Sequence, residues 1–166
     1  MTPSAFKKAY YPTIERVCAE TGLNPLFVAA QAALESGWGD RAIGNNIFGI
    51  TAGDKWTGKR QMVRTTEYFT DDRHGGAFAK VHSITALKDG RYRYDVDRAF
   101  RDYDSTEECV RDHFRVLSSK RYQKAMQYRD DVRRFAHEIA LAGYCTANPA
   151  KYAETIAAIA AMIARA

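Results

Sequence analysis

Between Ser4 and Glu20, Phe6, Tyr10, Ile14, Val17 and Cys18 recur at three- and four-residue steps. That spacing predicts one apolar face of an amphipathic helix. Thr21-Gly22 ends it, because glycine readily takes the left-handed cap. Asn24-Pro25 opens a second helix, with Asn as N-cap and Pro at the first helical position. The run from Leu26 to Glu35 is apolar on nearly every side, which predicts a helix in the middle of a core. Ser36-Gly37 stops it.

From Trp38 to Gly58 five glycines punctuate the chain, and loops with short turns are expected. Met62 to Phe69 is β-prone, with Thr65, Glu67 and Phe69 on one face. Ala77 to Leu87 suits a second strand, and Asp89-Gly90 marks a hairpin turn into Tyr92-Arg93-Tyr94. Residues 60 to 103 therefore predict a small antiparallel insertion. Helical periodicity returns after Ser105, which forms a capping box with Glu108. One helix runs through Val110, Phe114 and Leu117. Another starts at Asp130 or Asp131 and closes at Gly143. The last opens at Asn148-Pro149 and carries Ile156, Ile159 and Ile163. The fold class is α+β, mostly helical with one β insertion.

At 166 residues, 46% of them apolar, the chain can bury a substantial core without staples. The balance excludes collagen-like, coiled-coil and largely disordered classes. No window reaches the roughly 18 apolar residues needed to span a membrane. The N-terminal lysines run into Ala9-Tyr10-Tyr11-Pro12 and not into an apolar stretch, so no secretory leader is recognised. Synthesis in the cytoplasm, followed by release or export, is the expectation. Cys18, Cys109 and Cys145 are far apart and odd in number, which excludes a full disulfide framework. The four histidines lack zinc-ligand spacing, so neither a metal nor a cofactor is expected.

The net charge is +5, which suits an anionic partner. Between Arg111 and Arg134 eight basic residues face three acidic ones, so this stretch holds the whole excess. It reads either as a solvated helix face or as a guide surface for an anionic polymer or membrane surface. No groove-reading motif supports a nucleic-acid partner.

Glu35 is the most informative candidate. Burial and the negative end of the helix dipole both raise a carboxyl pKa at such a position. Trp38, a turn later, could add an apolar wall. A carboxyl kept protonated near neutral pH is what a general acid requires. The competing reading is a helix-terminal glutamate that points to water. Glycosidic cleavage usually needs a second carboxylate on another element, and Glu67 fits, with cross-strand pairing to a basic residue as the plainer alternative. Saccharide sites combine aromatics with amides, so Trp38, Phe48, Trp56, Tyr68, Tyr144, Asn45 and Asn46 are candidates for substrate contact. Core packing competes for each aromatic.

The ordered set AALESGWG (from Ala32), NNIFGI (from Asn45), TTEYF (from Thr65), FRDYDS (from Phe100) and AGYCT (from Ala142) resembles the family 73 glycoside hydrolases. These are bacterial and phage peptidoglycan N-acetylglucosaminidases, and they include the hydrolase domain of the flagellar rod protein. The resemblance covers roughly residues 5 to 163. It implies a lysozyme-like fold over 1–166 as a single domain, with the cleft between a helical lobe and a β-lobe. The implied reaction is hydrolysis of the β-1,4 bond after N-acetylglucosamine in peptidoglycan, without cofactor. Glu35 matches the family's acid, Glu67 its proposed second carboxylate, and Tyr144 a tyrosine tied to activity. A monomeric phage endolysin fits these features. A muramidase, a lytic transglycosylase and a non-catalytic wall-binding module are the alternatives.

Overall fold

Each helix begins on the cap its sequence supplies. In the computed structural model, which describes residues 1–166, α1 (Pro3–Thr21) starts where the Thr2 hydroxyl accepts from the Ala5 N–H. It ends on Gly22, at φ 74°. The Asn24 side chain accepts from the Leu26 N–H to start α2 (Pro25–Ser36). Ser105 caps α3 (Thr106–Leu117) by accepting from the Glu108 N–H, while the Glu108 carboxylate reaches back to the Asp104 N–H at 3.0 Å. Asp131 caps α4 (Val132–Leu141), and Asn148 caps α5 (Pro149–Arg165). Such caps satisfy amides that have no partner inside the helix.

The molecule divides into two compact units. One comprises Met1–Gly49 and Tyr103–Ala166 and holds all five helices. Helix α2 is its axis: Phe27 to Ala33 are all buried, as the all-round apolar pattern requires. Phe27 meets Phe135 of α4 edge-on, with ring centroids 4.6 Å apart. Burying a side chain of this size contributes about 2–3 kcal/mol. Ile156 and Ile163 of α5 and Phe6 and Ile14 of α1 complete the core. The segment after α3 is not continuous helix. It turns twice as short 3-10 helices, Lys120–Tyr122 and Ala125–Tyr128, before α4.

The second unit, Ile50–Asp102, carries a three-stranded antiparallel sheet. The strands are β1 (Arg60–Phe69), β2 (Lys80–Ala86) and β3 (Tyr92–Arg101), in the order β1-β3-β2. Glu67 stands opposite Tyr94, and Met62 opposite Ala99. The β2–β3 register slips between Val81 and Ser83, a bulge at His82. The unit starts ten residues before β1 because the preceding loop adds to the edge of β3. The Ala52 N–H donates to the Ala99 carbonyl at 2.9 Å, and the Arg101 N–H to that of Ile50 at 3.0 Å. Phe69, His74, Phe78 and Tyr94 form its aromatic core, with Phe69 stacked on His74 at 4.1 Å.

Cys18, Cys109 and Cys145 are free thiols; the first two are buried, and burial pushes the pKa of each up to about 12. No helix is long and apolar enough to cross a membrane.

Candidate active site

Glu35 occupies the last turn of α2, and the chain beyond it is shaped by three consecutive residues in the left-handed region: Gly37 (φ 56°), Trp38 (φ 58°) and Gly39 (φ 86°). A tryptophan in this conformation costs roughly 1–2 kcal/mol, and the surroundings hold it there. The Trp38 N–H donates to the Ala33 carbonyl at 2.7 Å. The Ser36 hydroxyl donates to the Ala32 carbonyl at 2.6 Å and accepts from the Gly39 N–H at 2.8 Å. The Trp38 ring meets Phe6 of α1 edge-on at 5.6 Å. A Cβ at Gly37 would lie 2.7 Å from the Arg41 Nε, so glycine there serves the turn and lets Arg41 approach.

Glu35 is exposed at its surface, yet its carboxyl pKa is raised, first by desolvation, with Arg41 acting in the opposite direction. The two observations are compatible. Desolvation depends on the mass of protein around the group, and one side can still open to water. Both readings of the sequence thus meet in one residue: it faces outward and holds its proton more tightly than an ordinary glutamate.

Tyr144 joins Glu35 in the helical unit. Its ring lies 6.1 Å from Tyr122, 6.3 Å from His113 and 6.3 Å from Tyr152. Burial raises its phenol pKa well above 10, and the nearby Tyr152 and Glu35 add to the rise. Tyr144 is therefore a neutral hydrogen-bonding group at neutral pH. Its position is fixed from below by Arg121, whose guanidinium donates to the carbonyls of Ala142, at 2.7 Å, and Gly143.

A buried polar network lies one turn beneath the acid. Gln31, fully buried on α2, accepts from the His113 Nε2 at 2.8 Å and donates to the Tyr152 hydroxyl at 2.9 Å. Burial lowers the His113 pKa to about 3, so its imidazole is neutral. Phe48 stacks on His113 with centroids 3.8 Å apart. Sequence reasoning passed over Gln31, though a signal was there: one polar residue inside AAQAAL must find partners if the helix is buried. Nothing in the sequence marked Arg41.

Two expected sugar contacts lie beneath the surface. Asn46 is 1% exposed and Phe48 is 4% exposed. Asn46 accepts from the Cys109 thiol at 4.0 Å, and Phe48 covers His113. The NNIFGI segment looks like a polar loop in sequence, but it packs inward to seal the layer under α2 and α3. Neither side chain is placed to meet a substrate directly.

The β-unit holds the other candidates. Glu67 is half-buried on β1 and forms a 2.7 Å ion pair with Arg98 of β3, a pairing to a basic residue on the neighbouring strand. Trp56 donates through Nε1 to the Lys59 carbonyl at 2.9 Å, and Arg101 covers its ring at 4.4 Å. Tyr68 is 52% exposed with Arg91 over its ring at 5.2 Å, the most open aromatic of the set.

The Arg111–Arg134 stretch is less of a free basic surface than its composition implies. Arg111 pairs with Glu20 at 2.7 Å and Glu107 at 2.8 Å, and Arg115 pairs with Asp112 at 3.4 Å. With Arg121 engaged under Tyr144, the exposed remainder is Lys120, Lys124, Arg129, Arg133 and Arg134.

No group of three or more His, Cys, Asp or Glu side chains assembles that could hold a metal ion.

Residues 11–165 match the family described as mannosyl-glycoprotein endo-beta-N-acetylglucosaminidase, the glucosaminidase family. The chain is similar to the peptidoglycan hydrolase FlgJ of Pseudomonas aeruginosa, 32% identical over 90% of this chain and 34% of that protein. It is also similar to FlgJ of Vibrio parahaemolyticus, 30% identical over 87% and 43%. The chain thus spans less than half the length of these relatives. Among solved structures, a peptidoglycan hydrolase mutant from Sphingomonas sp. A1 aligns over 97% of this chain and 96% of its own, with a TM-score of 0.69 and 30% identity. The truncated glycoside hydrolase domain of Salmonella typhimurium FlgJ covers 99% of both chains at a TM-score of 0.71. At 24% identity it bears on the fold alone, which is the lysozyme-like α+β arrangement anticipated from the sequence. With a family match over nearly its whole length, this chain belongs to the glucosaminidase family of glycoside hydrolases.

Proposed function

We propose that this protein hydrolyses the β-1,4 glycosidic bond after N-acetylglucosamine in peptidoglycan, with Glu35 as general acid. The observation that carries the reading is the position of Glu35, whose outward-facing carboxyl stands on the last turn of the buried helix α2, where desolvation raises its pKa. A proton retained there is available to the glycosidic oxygen as the bond breaks. Membership of the glucosaminidase family and likeness to proteins named peptidoglycan hydrolases support the substrate class.

Glu67 is the second carboxylate in this proposal. Arg98 fixes its orientation on the sheet. Its task is to activate a water or to stabilise the oxocarbenium-like centre. Tyr144, neutral and anchored through Arg121, offers a hydrogen bond beside the acid. Trp56 and Tyr68 offer aromatic faces to sugar rings from the β-unit.

Mass spectrometry of muropeptides released from purified wall tests the bond choice. N-acetylglucosamine at the new reducing end is the expected product. N-acetylmuramic acid there indicates a muramidase, a 1,6-anhydro sugar indicates a lytic transglycosylase, and wall sedimentation with no release indicates a binding module. Each of these three results overturns the proposal.

A further inference from the structure

Helix α4 begins against the usual electrostatic preference. Its first turn holds no acidic residue and two arginines, Arg133 and Arg134. Cations are unfavourable at the positive end of a helix, and departures of this kind concentrate at functional sites. Both side chains line a groove of about 320 Å³ between α4 and the start of α5, a size that accepts a small ligand. His137, one turn after Arg133, completes the α4 wall. On α5 the small side chains of Ala150 and Ala153 leave the space open, and Glu154 stands beside them. The whole groove belongs to the helical unit.

The opposite charges on the two walls do not meet. The side chains of Arg133, His137 and Glu154 make no hydrogen bond or ion pair within the protein. Arg134 is held in place by stacking on Tyr128, 3.7 Å from the ring centroid. Asp131 is already engaged as the cap of α4, accepting from the Arg134 N–H at 2.9 Å. Glu154 is therefore the carboxylate left to meet a ligand. Unpartnered charges of both signs on facing walls match a ligand that itself carries both. A purely anionic ligand would set its charge against Glu154, and a purely cationic one against the guanidiniums.

We propose that this groove binds the zwitterionic end of a peptidoglycan stem peptide, a diamino acid residue that presents an ammonium and a carboxylate within one residue's length. The carboxylate faces Arg133 and Arg134, and the ammonium faces Glu154. The proposal deepens, and rests on, the reading of peptidoglycan as the substrate. Its consequence is a preference for uncrosslinked wall. Crosslinking converts the ammonium to an amide and removes the charge that Glu154 meets.

The test is an amide NMR titration of the whole chain with N-acetyl-L-alanyl-γ-D-glutamyl-meso-diaminopimelate, a stem peptide with no glycosidic bond to cleave. Saturable shifts are expected at Arg133, Arg134, His137, Ala150 and Glu154. Arg133→Gln and Glu154→Gln change exposed side chains, and each weakens binding by about threefold to fivefold. Acetylating the distal ammonium of the peptide weakens its binding to the wild type by a similar factor. It has no further effect on Glu154→Gln, because the two changes remove the same contact. Equal binding of the free and acetylated peptides by the wild type shows an unselective anionic-ligand surface and overturns the proposal. Shifts absent from these five residues overturn it as well. The outcome is separate from bond cleavage. Peptide binding without wall hydrolysis removes the glucosaminidase reading and leaves the groove, whereas wall digestion to N-acetylglucosamine ends without peptide binding removes the groove alone.

Discussion

The guanidinium of Arg41 lies against Gly37 and draws down the pKa of Glu35, which burial has raised. The two influences oppose each other across one left-handed turn. A cation favours the ionised acid, so removing it makes the proton harder to lose. Arg41→Gln is therefore expected to move the basic limb of the wall-hydrolysis profile to higher pH. A limb that stays in place would show that Arg41 does not act on the acid.

Glu67 and Arg98 form the corresponding pair in the β-unit. With Glu67 as second carboxylate, Glu67→Gln lowers kcat for reducing-end release by about 100-fold. Arg98→Met lowers it by a smaller factor, through loss of orientation. Wild-type kcat in Glu67→Gln would transfer the role to another group, the substrate's own acetamido being the first candidate.

His113 predicts a pH dependence of stability. Its folded pKa is lowered to about 3, against about 6.5 in an unfolded chain. Between those values the unfolded state binds a proton that the folded state refuses, so stability rises with pH there. The contribution is fully present above pH 6.5 and is lost as pH falls toward 3, at about 1.4 kcal/mol per pH unit. Urea unfolding across pH 4 to 7 measures this slope. His113→Gln should flatten it, and an unchanged slope in that variant would assign it elsewhere.

The exposed basic residues Arg129, Arg133 and Arg134 predict a salt-sensitive attachment to anionic wall polymers. Replacing all three with Gln should weaken sedimentation with purified wall at low salt and spare turnover of small soluble fragments. Equal losses on both substrates would place these residues in catalysis instead.

The elements were legible because their signals are local. Asn24-Pro25, Ser105 with Glu108, and Asn148-Pro149 each announce a helix start by a hydrogen bond made within four residues. The place of Glu35 on the last turn of α2 was legible for the same reason, at the end of an apolar run before two glycines. The support beneath it was not. Gln31, His113 and Tyr152 come together from three helices, and no spacing in the sequence encodes that meeting. Asn46 and Phe48 misled for the opposite reason: a loop sequence rich in amides and glycine resembles a ligand-facing segment, yet it packs inward. The basic stretch was counted along the chain, while Arg111 finds Glu20 on a distant helix. The loop Ile50–Lys59 joins the edge of β3 through backbone bonds, which side-chain periodicity cannot register.

The general-acid role of Glu35 is tested most directly by comparing wild type and Glu35→Gln for release of reducing ends from purified peptidoglycan, with both proteins shown to be folded by circular dichroism. The substitution keeps the shape and removes the proton donor. The predicted result is an intact fold with kcat reduced by about 1,000-fold or more. Release at the wild-type rate from folded Glu35→Gln would contradict that role.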